Sequence, residues 1–94
     1  MADRVVWSTR ALEDLEAIAD YIAKDSLTYA GILVKRIVNQ TRLLAQFPNA
    51  GRKVPEFDDD RIRELIVASY RIIYQVGNHQ VTIAAVIHGK QMLH

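Results

Sequence analysis

Apolar residues recur along this chain with two different periods, and the change of period predicts the fold. Ala11, Leu12, Leu15, Ile18, Ala19 and Ile22 repeat at three and four residues, the spacing of one buried helical face. Glu13, Glu16 and Asp20 lie off that stripe. A second stripe, Ala30, Leu33, Ile37, Thr41 and Leu44, widened by Val34 and Val38, predicts a second helix. From Ile62 onward the period falls to two, as in strands with one face buried.

Local signals set the ends of these elements. Arg4–Trp7 reads as a short first strand. Ser8 is a natural N-cap, with Trp7 and Leu12 at the two positions of a hydrophobic staple. Lys24-Asp25-Ser26 breaks the pattern, and Ser26 caps the second helix. That helix should stop near Gln46, because Pro48 disfavours a helical conformation at Phe47. So short a connection makes the helices an antiparallel hairpin. The stretch FPNAGRKVPEFDDD, residues 47–60, predicts an irregular loop over the surface.

In the strand region, a two-residue turn at Ala68-Ser69 pairs Val67 with Tyr70 and sets Arg71 beside Ile66. One face then carries Ile62, Glu64, Ile66, Arg71, Ile73 and Gln75, and the other Arg63, Leu65, Val67, Tyr70, Ile72, Tyr74 and Val76. A second turn at Gly77-Asn78 extends the first face through Thr82, Ala84, Val86 and His88. It extends the second through Val81, Ile83, Ala85 and Ile87, and this more apolar face belongs against the helices. The fold class is α+β, with an N-terminal strand and an antiparallel helical hairpin on one face of an antiparallel sheet, in the order β-α-α-β-β-β.

Composition narrows the picture. At 94 residues, 50% hydrophobic and 24% charged, the chain reads as a single domain over 1–94. It has no cysteine, which removes disulfides and thiolate metal sites and fits a reducing, cytoplasmic setting. No apolar run approaches the ~20 residues of a membrane span, and MADRVVW lacks the pattern of a signal peptide, so no membrane role is expected. The net charge of +1 does not by itself call for nucleic acid, but it is unevenly placed. Acids crowd residues 1–25, whereas 26–47 carry Lys35, Arg36 and Arg42 and no acid, which suits a charged partner. Asp58-Asp59-Asp60 has no second carboxylate cluster at a suitable spacing, so neither a metal nor a cofactor is expected.

Arg71 is the residue that pattern alone leaves open. A lone guanidinium beneath the helices would cost several kcal/mol, about 3–5 when unpaired, so the opposite, less covered face is favoured. There it either forms a surface salt bridge with Glu64, diagonally across the hairpin, or contacts an anion together with Gln75, Thr82 and His88.

Three stretches carry a family resemblance: FPNAGRKVPEF in the loop, RELIVASYRIIYQV across the central hairpin, and VTIAAVIHGK in the last strand. With the element order, they resemble the RelE/ParE superfamily of toxins from type II toxin–antitoxin modules, over nearly the whole chain. The resemblance implies a plasmid-stabilisation toxin neutralised by a cognate antitoxin, whose flexible part wraps over the helical hairpin and sheet edges. Operator DNA would then be bound only through the antitoxin.

The resemblance also implies two branches. RelE-like members cut mRNA inside the ribosome with basic and polar groups on the open sheet face and near the C-terminus. ParE-like members share the fold but poison DNA gyrase without that cluster. Here Arg71 is retained, but two lysine positions of the RelE-like branch are Ile62 and Glu64, and an arginine position falls on Gln91. The sequence ends at His94, without the extension that supplies a further catalytic group.

RNA cleavage through the 2′-hydroxyl needs a base, an acid and cations for the phosphorane charge. Arg71 would stabilise charge, with Glu64 and His88 as base or acid, yet Glu64 would repel the phosphate. The ParE-like reading, a gyrase inhibitor and not an enzyme, is therefore favoured. Its candidate target-binding residues are Arg63, Arg71, His88 and Lys90. The alternatives are a ribosome-dependent endoribonuclease, and an inactive member that only binds antitoxin.

Overall fold

The computed structural model describes residues 3–93; Met1, Ala2 and His94, the ends of the expected domain, lie outside the described residues. The order of elements is β1 (Arg4–Trp7), α1 (Thr9–Ala23), α2 (Leu27–Arg42), β2 (Arg52–Lys53), β3 (Ile62–Val67), β4 (Tyr70–Val76) and β5 (Gln80–His88). A single 3-10 turn, Leu43–Ala45, ends the second helix just before the position Pro48 dictates. Both caps form as the sequence requires: the Ser8 hydroxyl accepts from Ala11 N–H and the Ser26 hydroxyl from Tyr29 N–H, each at 3.0 Å.

The strands form one sheet in the order β1-β5-β4-β3-β2. The helical hairpin covers one face of it. Ala11, Leu33, Ile37 and Leu44 meet Val67, Ile72, Tyr74, Val81 and Ile83 in a closed core, with Leu15, Ile18, Ile22 and Leu65 partly buried around it. Leu12, expected on this stripe and in a staple with Trp7, is instead 54% exposed. Trp7 packs against the main core from its strand position.

Two features of the sheet differ from the pattern-based expectation. First, the sheet is mixed, because β1 runs parallel to β5 while all other pairs are antiparallel. Period two reports which face a side chain takes, not which way the neighbouring strand runs. Second, the segment 47–60 is not all surface loop. Arg52 and Lys53 pair with Glu64 and Arg63, and Val54 is fully buried.

Register carries the most consequential correction. The first turn is as expected, with Val67 opposite Tyr70 and Ile66 opposite Arg71. The second turn lies further along than Gly77-Asn78: Val76 pairs with Val81, and His79 takes a left-handed φ of 57°. That slip by two leaves the faces of Val81 and Ile83 unchanged. A β-bulge then intervenes, because Tyr74 pairs with Ile83 but Ile73 pairs with Ala85, leaving Ala84 unpaired. One extra residue flips everything after it. Val86 joins the helix-side core, while Ala85 and Ile87 cross to the opposite face beside Ile73. His88, expected on the face of Arg71, lies opposite Tyr70 on the helix side.

The N-cap and second turn of α1 hold this bulge in place. β1 pairs with β5 only as far as Trp7 opposite Ile83, so the edge beyond is open. The Ser8 hydroxyl donates to the Ala84 carbonyl at 3.1 Å, and Asp14 Oδ2 accepts from Val86 N–H at 2.9 Å. A helix thus completes the edge where the neighbouring strand ends.

Candidate functional site

The face away from the helices is closed by irregular chain. Val54 from the loop, Ile73 from β4, and Ala85 and Ile87 from β5 form a second, smaller core, with Ile62 and Leu93 packed against it. Arg71 sits beside it and is only 4% exposed, so the expected open position is corrected to a buried one. Burial of a guanidinium is tolerable only with its donors paired, and they are.

Arg71 Nε donates to Glu64 Oε1 at 2.6 Å, the diagonal pair that the register predicts. Its two terminal nitrogens grip Glu56 side by side, at 2.7 and 2.8 Å, and one also donates to the Gln91 carbonyl at 2.8 Å. Glu64, itself 1% exposed, uses Oε2 to accept from Arg52 Nε at 2.6 Å. Glu56 Oε2 further accepts from Leu93 N–H at 3.0 Å. Two guanidiniums and two carboxylates therefore close a neutral network.

The charge states follow from this geometry. The Arg71 hydrogen bonds, with help from the Leu93 amide, hold the Glu56 carboxyl down at about 2. Glu56, then Glu64, raise Arg71 further above its already high value, against the opposing effect of burial. Glu56 and Arg71 stay charged through the physiological range. Sequence reasoning missed Glu56 and Arg52, because they lie in the irregular segment and meet Arg71 only through tertiary folding. Gly51 marked the place: a Cβ there would run into the Glu64 carbonyl and the Tyr74 hydroxyl.

The other candidates are spread apart. Arg63 is a tether for the loop, with Nε donating to the Asp60 carbonyl and a terminal nitrogen to the Gly51 carbonyl, both at 2.9 Å. His88 is exposed, edge-on to Tyr70 at 5.9 Å between centroids, and its Nδ1 accepts from Lys90 N–H at 3.2 Å. Lys90 is exposed. Arg71 and Glu64 are thus brought together, while His88 and Lys90 form a separate group at the end of β5. Within the acidic run, Asp59 pairs with Arg61 and Asp60 with Lys53. Among the described residues no cluster of His, Cys, Asp and Glu is arranged for a metal ion.

Across the molecule, an apolar groove runs between the helices, lined by Ala19, Ala23, Leu27, Ala30, Gly31 and Val34. Leu27 there is 79% exposed, and a Cβ added to Gly31 would meet nothing within 4 Å. Beside it, α2 turns Lys35, Arg36 and Arg42 outward. No helix among the described residues is long and apolar enough to cross a membrane.

A helical hairpin over one face of a five-stranded, mostly antiparallel sheet, entered through a short edge strand, belongs here to a member of the RelE/ParE class of small toxins. The chain belongs to the family described as the ParE toxin of the type II toxin–antitoxin system parDE, whose model matches residues 5–93. It is similar to Toxin RelE2 of Caulobacter vibrioides, 36% identical over 90 residues, covering 95% of this chain and 98% of the relative. It shares its fold with a solved structure of the chromosomal ParDE toxin–antitoxin system from P. aeruginosa. That match has a TM-score of 0.76 and 24% identity, and covers 93% of this chain and 96% of the other.

Proposed function

We propose that this toxin acts by binding, as an inhibitor of DNA gyrase in the cytoplasm, and does not cut RNA. The observation that carries the reading is the enclosure of Arg71. A guanidinium that stabilises a phosphorane must have donors aimed at the developing charge. Here they are spent on Glu64, Glu56 and the Gln91 carbonyl. The carboxylates beside Arg71 are taken up as well: Glu64 holds two arginines and is closed to solvent, and Glu56 holds Arg71 and the Leu93 amide. His88 lies on the other face. The cleavage set would have to be dismantled from one network and gathered from two sides of a sheet.

Of the four target-binding candidates, His88 and Lys90 are the accessible pair and would contact gyrase directly. Arg63 and Arg71 would support that surface by fixing the loop and the last residues. Supercoiling by purified gyrase and toe-printing on programmed ribosomes test the reading together. Wild-type toxin is expected to block supercoiling and leave ribosome-bound mRNA whole, with Lys90→Ala weakening inhibition. Ribosome-dependent cuts that disappear in Arg71→Ala, with supercoiling untouched, would overturn it.

The antitoxin would seat an amphipathic, acidic segment in the helical groove, with its charges toward Lys35, Arg36 and Arg42, and would bring any operator DNA contact. Gly31→Phe adds bulk to that groove from a position where a Cβ meets nothing within 4 Å. It should leave the melting temperature near wild type and weaken the complex at least tenfold in a titration with the cognate antitoxin. Unchanged affinity would remove the groove from the interface.

A further inference from the structure

Residues 91–93 are held by their backbone. Arg71 donates to the Gln91 carbonyl, and the Leu93 N–H donates to Glu56. The same guanidinium nitrogen and carboxylate oxygen are 2.7 Å apart, so the two backbone bonds close on one ion pair. The carbonyl of one residue and the N–H two places on are the groups that a residue of a neighbouring parallel strand would take. Here a guanidinium and a carboxylate take them. Gln91 and Met92 are exposed, whereas Leu93 packs on the small core of Val54, Ile73, Ala85 and Ile87.

We propose that the Arg71–Glu56 pair and the apolar socket beneath it form a peptide-binding cradle, filled in cis by residues 91–93 and able to exchange them. The incoming ligand is an extended segment of a protein partner with a branched aliphatic residue two places after the bonded carbonyl. Backbone bonds supply affinity in such a site and the socket supplies selectivity. The site is preformed, because Glu64 and Glu56 hold Arg71 in place without the residues that now fill it. A nucleic acid strand does not fit, since Glu56 would face its phosphates. The cradle's chemistry is independent of which target the toxin inhibits.

The occupant in cis acts at an effective concentration on the order of millimolar, so a free peptide must be supplied at that level to compete. The full chain offers a clean probe, because it has no cysteine and Met92 is 62% exposed. A spin label on Met92→Cys reports the mobility of the segment. End-blocked Lys-Gln-Met-Leu, the sequence of residues 90–93, should raise the mobile fraction saturably at millimolar concentration, and Lys-Gln-Met-Asp should not. In unlabelled Glu56→Gln, the Leu93 amide should exchange at least tenfold faster while the Ile72 amide keeps its wild-type rate, which separates release from unfolding. Three outcomes would overturn the cradle: no mobile fraction at about ten times the effective concentration, an equal response to both peptides, or an unchanged Leu93 exchange rate in Glu56→Gln. None of these readouts involves gyrase, ribosomes or antitoxin, so they fail separately from the inhibitor reading.

Discussion

Both faces of the sheet bury a core, but by different means. On the helix side, regular elements meet regular elements, and aliphatic side chains at helical and strand periods fill the space. On the opposite side, two irregular segments fold over β3, β4 and β5, and the seam is a network of charges with a small apolar core beside it. The first face derives its energy from area removed from water, which is non-directional and tolerant of small shifts. The second depends on matched hydrogen bonds, which are directional and fail together when one partner is lost. A fold built this way can keep a rigid scaffold on one side while the other side is specified by a handful of residues.

The largest effect should come from breaking the charged seam. Arg71→Ala leaves Glu64 buried beside no guanidinium but that of the exposed Arg52, and strips Glu56 of its partner. Removing one member of a buried pair costs about 3–5 kcal/mol. A domain of this size loses about 4–8 °C per kcal/mol, so the melting temperature should fall by at least about 12 °C. Arg71→Met with Glu64→Leu and Glu56→Gln should recover more than half of the loss, because no carboxylate is then left enclosed without a partner. If Arg71→Ala shifted thermal unfolding by only a degree or two, the second face would not be held by charge at all.

Ile72→Ala sharpens the contrast from the other side. Ile72 is fully buried among Leu, Ile and Tyr side chains, and its truncation should cost about 3 kcal/mol, within the usual range for core cavities. Its neighbour Ile73 points into the smaller core, where Leu93 and Ile62 are partly exposed and can settle into the space. Ile73→Ala should therefore cost less. Denaturant melts of the two variants decide it, and the reverse order would show the small core to be the better packed of the two.

These faces were unequally legible in the sequence for the same physical reason that they differ in energy. The helix stripes apart from Leu12, both serine caps, the Val67–Tyr70 register and the diagonal from Arg71 to Glu64 follow from periodicity and local chemistry, and the structure has them. Glu56 and Arg52 could not be read, since no period relates an irregular segment to the strand it folds upon. The face of His88 was misread for a subtler reason. Alternation holds only while the ladder is unbroken, and the bulge at Ala84 is specified by Ser8 and Asp14, some seventy positions away in the chain. The parallel course of β1 was equally silent, because its partner lies at the far end of the sequence.

Ser8→Ala tests that long-range specification with a smaller expected effect. The hydroxyl both caps α1 and donates to the Ala84 carbonyl. Loss of a serine cap costs about 1 kcal/mol, up to 2 in protein hosts, and the second bond places this site toward the upper end. Ser8→Asp would keep the cap but cannot donate to Ala84. A comparison of Ser8→Asp with wild type by thermal melting therefore isolates the bulge contact, and the further loss in Ser8→Ala reports the cap. If Ser8→Asp matched wild type, the cap alone would account for the whole effect, and the bulge would stand without its tie to α1.

The smallest effect is local and appears only in acid. The folded Glu56 carboxyl titrates at about 2, below its ordinary value of about 4.3, because Arg71 and the Leu93 amide favour its charged form. A depressed carboxyl contributes stability that is fully present above the unfolded value and is lost as pH falls through the folded one. The contribution is therefore complete at neutral pH and drains away between about pH 4.3 and 2. What lets go first should be the bond to Leu93, since Arg71 keeps Glu64 and the Gln91 carbonyl, whereas the Leu93 amide is held by the Glu56 carboxylate itself. Proton–nitrogen spectra recorded from pH 6 to pH 2 should show the Leu93 amide moving with a midpoint below 4, while the Ile72 amide stays in place until global unfolding. In Glu56→Gln the Leu93 amide should begin at its released position and lose that titration, because no carboxyl remains to take up the proton. A Leu93 midpoint at the ordinary carboxylate value would mean that Glu56 faces solvent freely. The two faces would then differ less than their geometry implies.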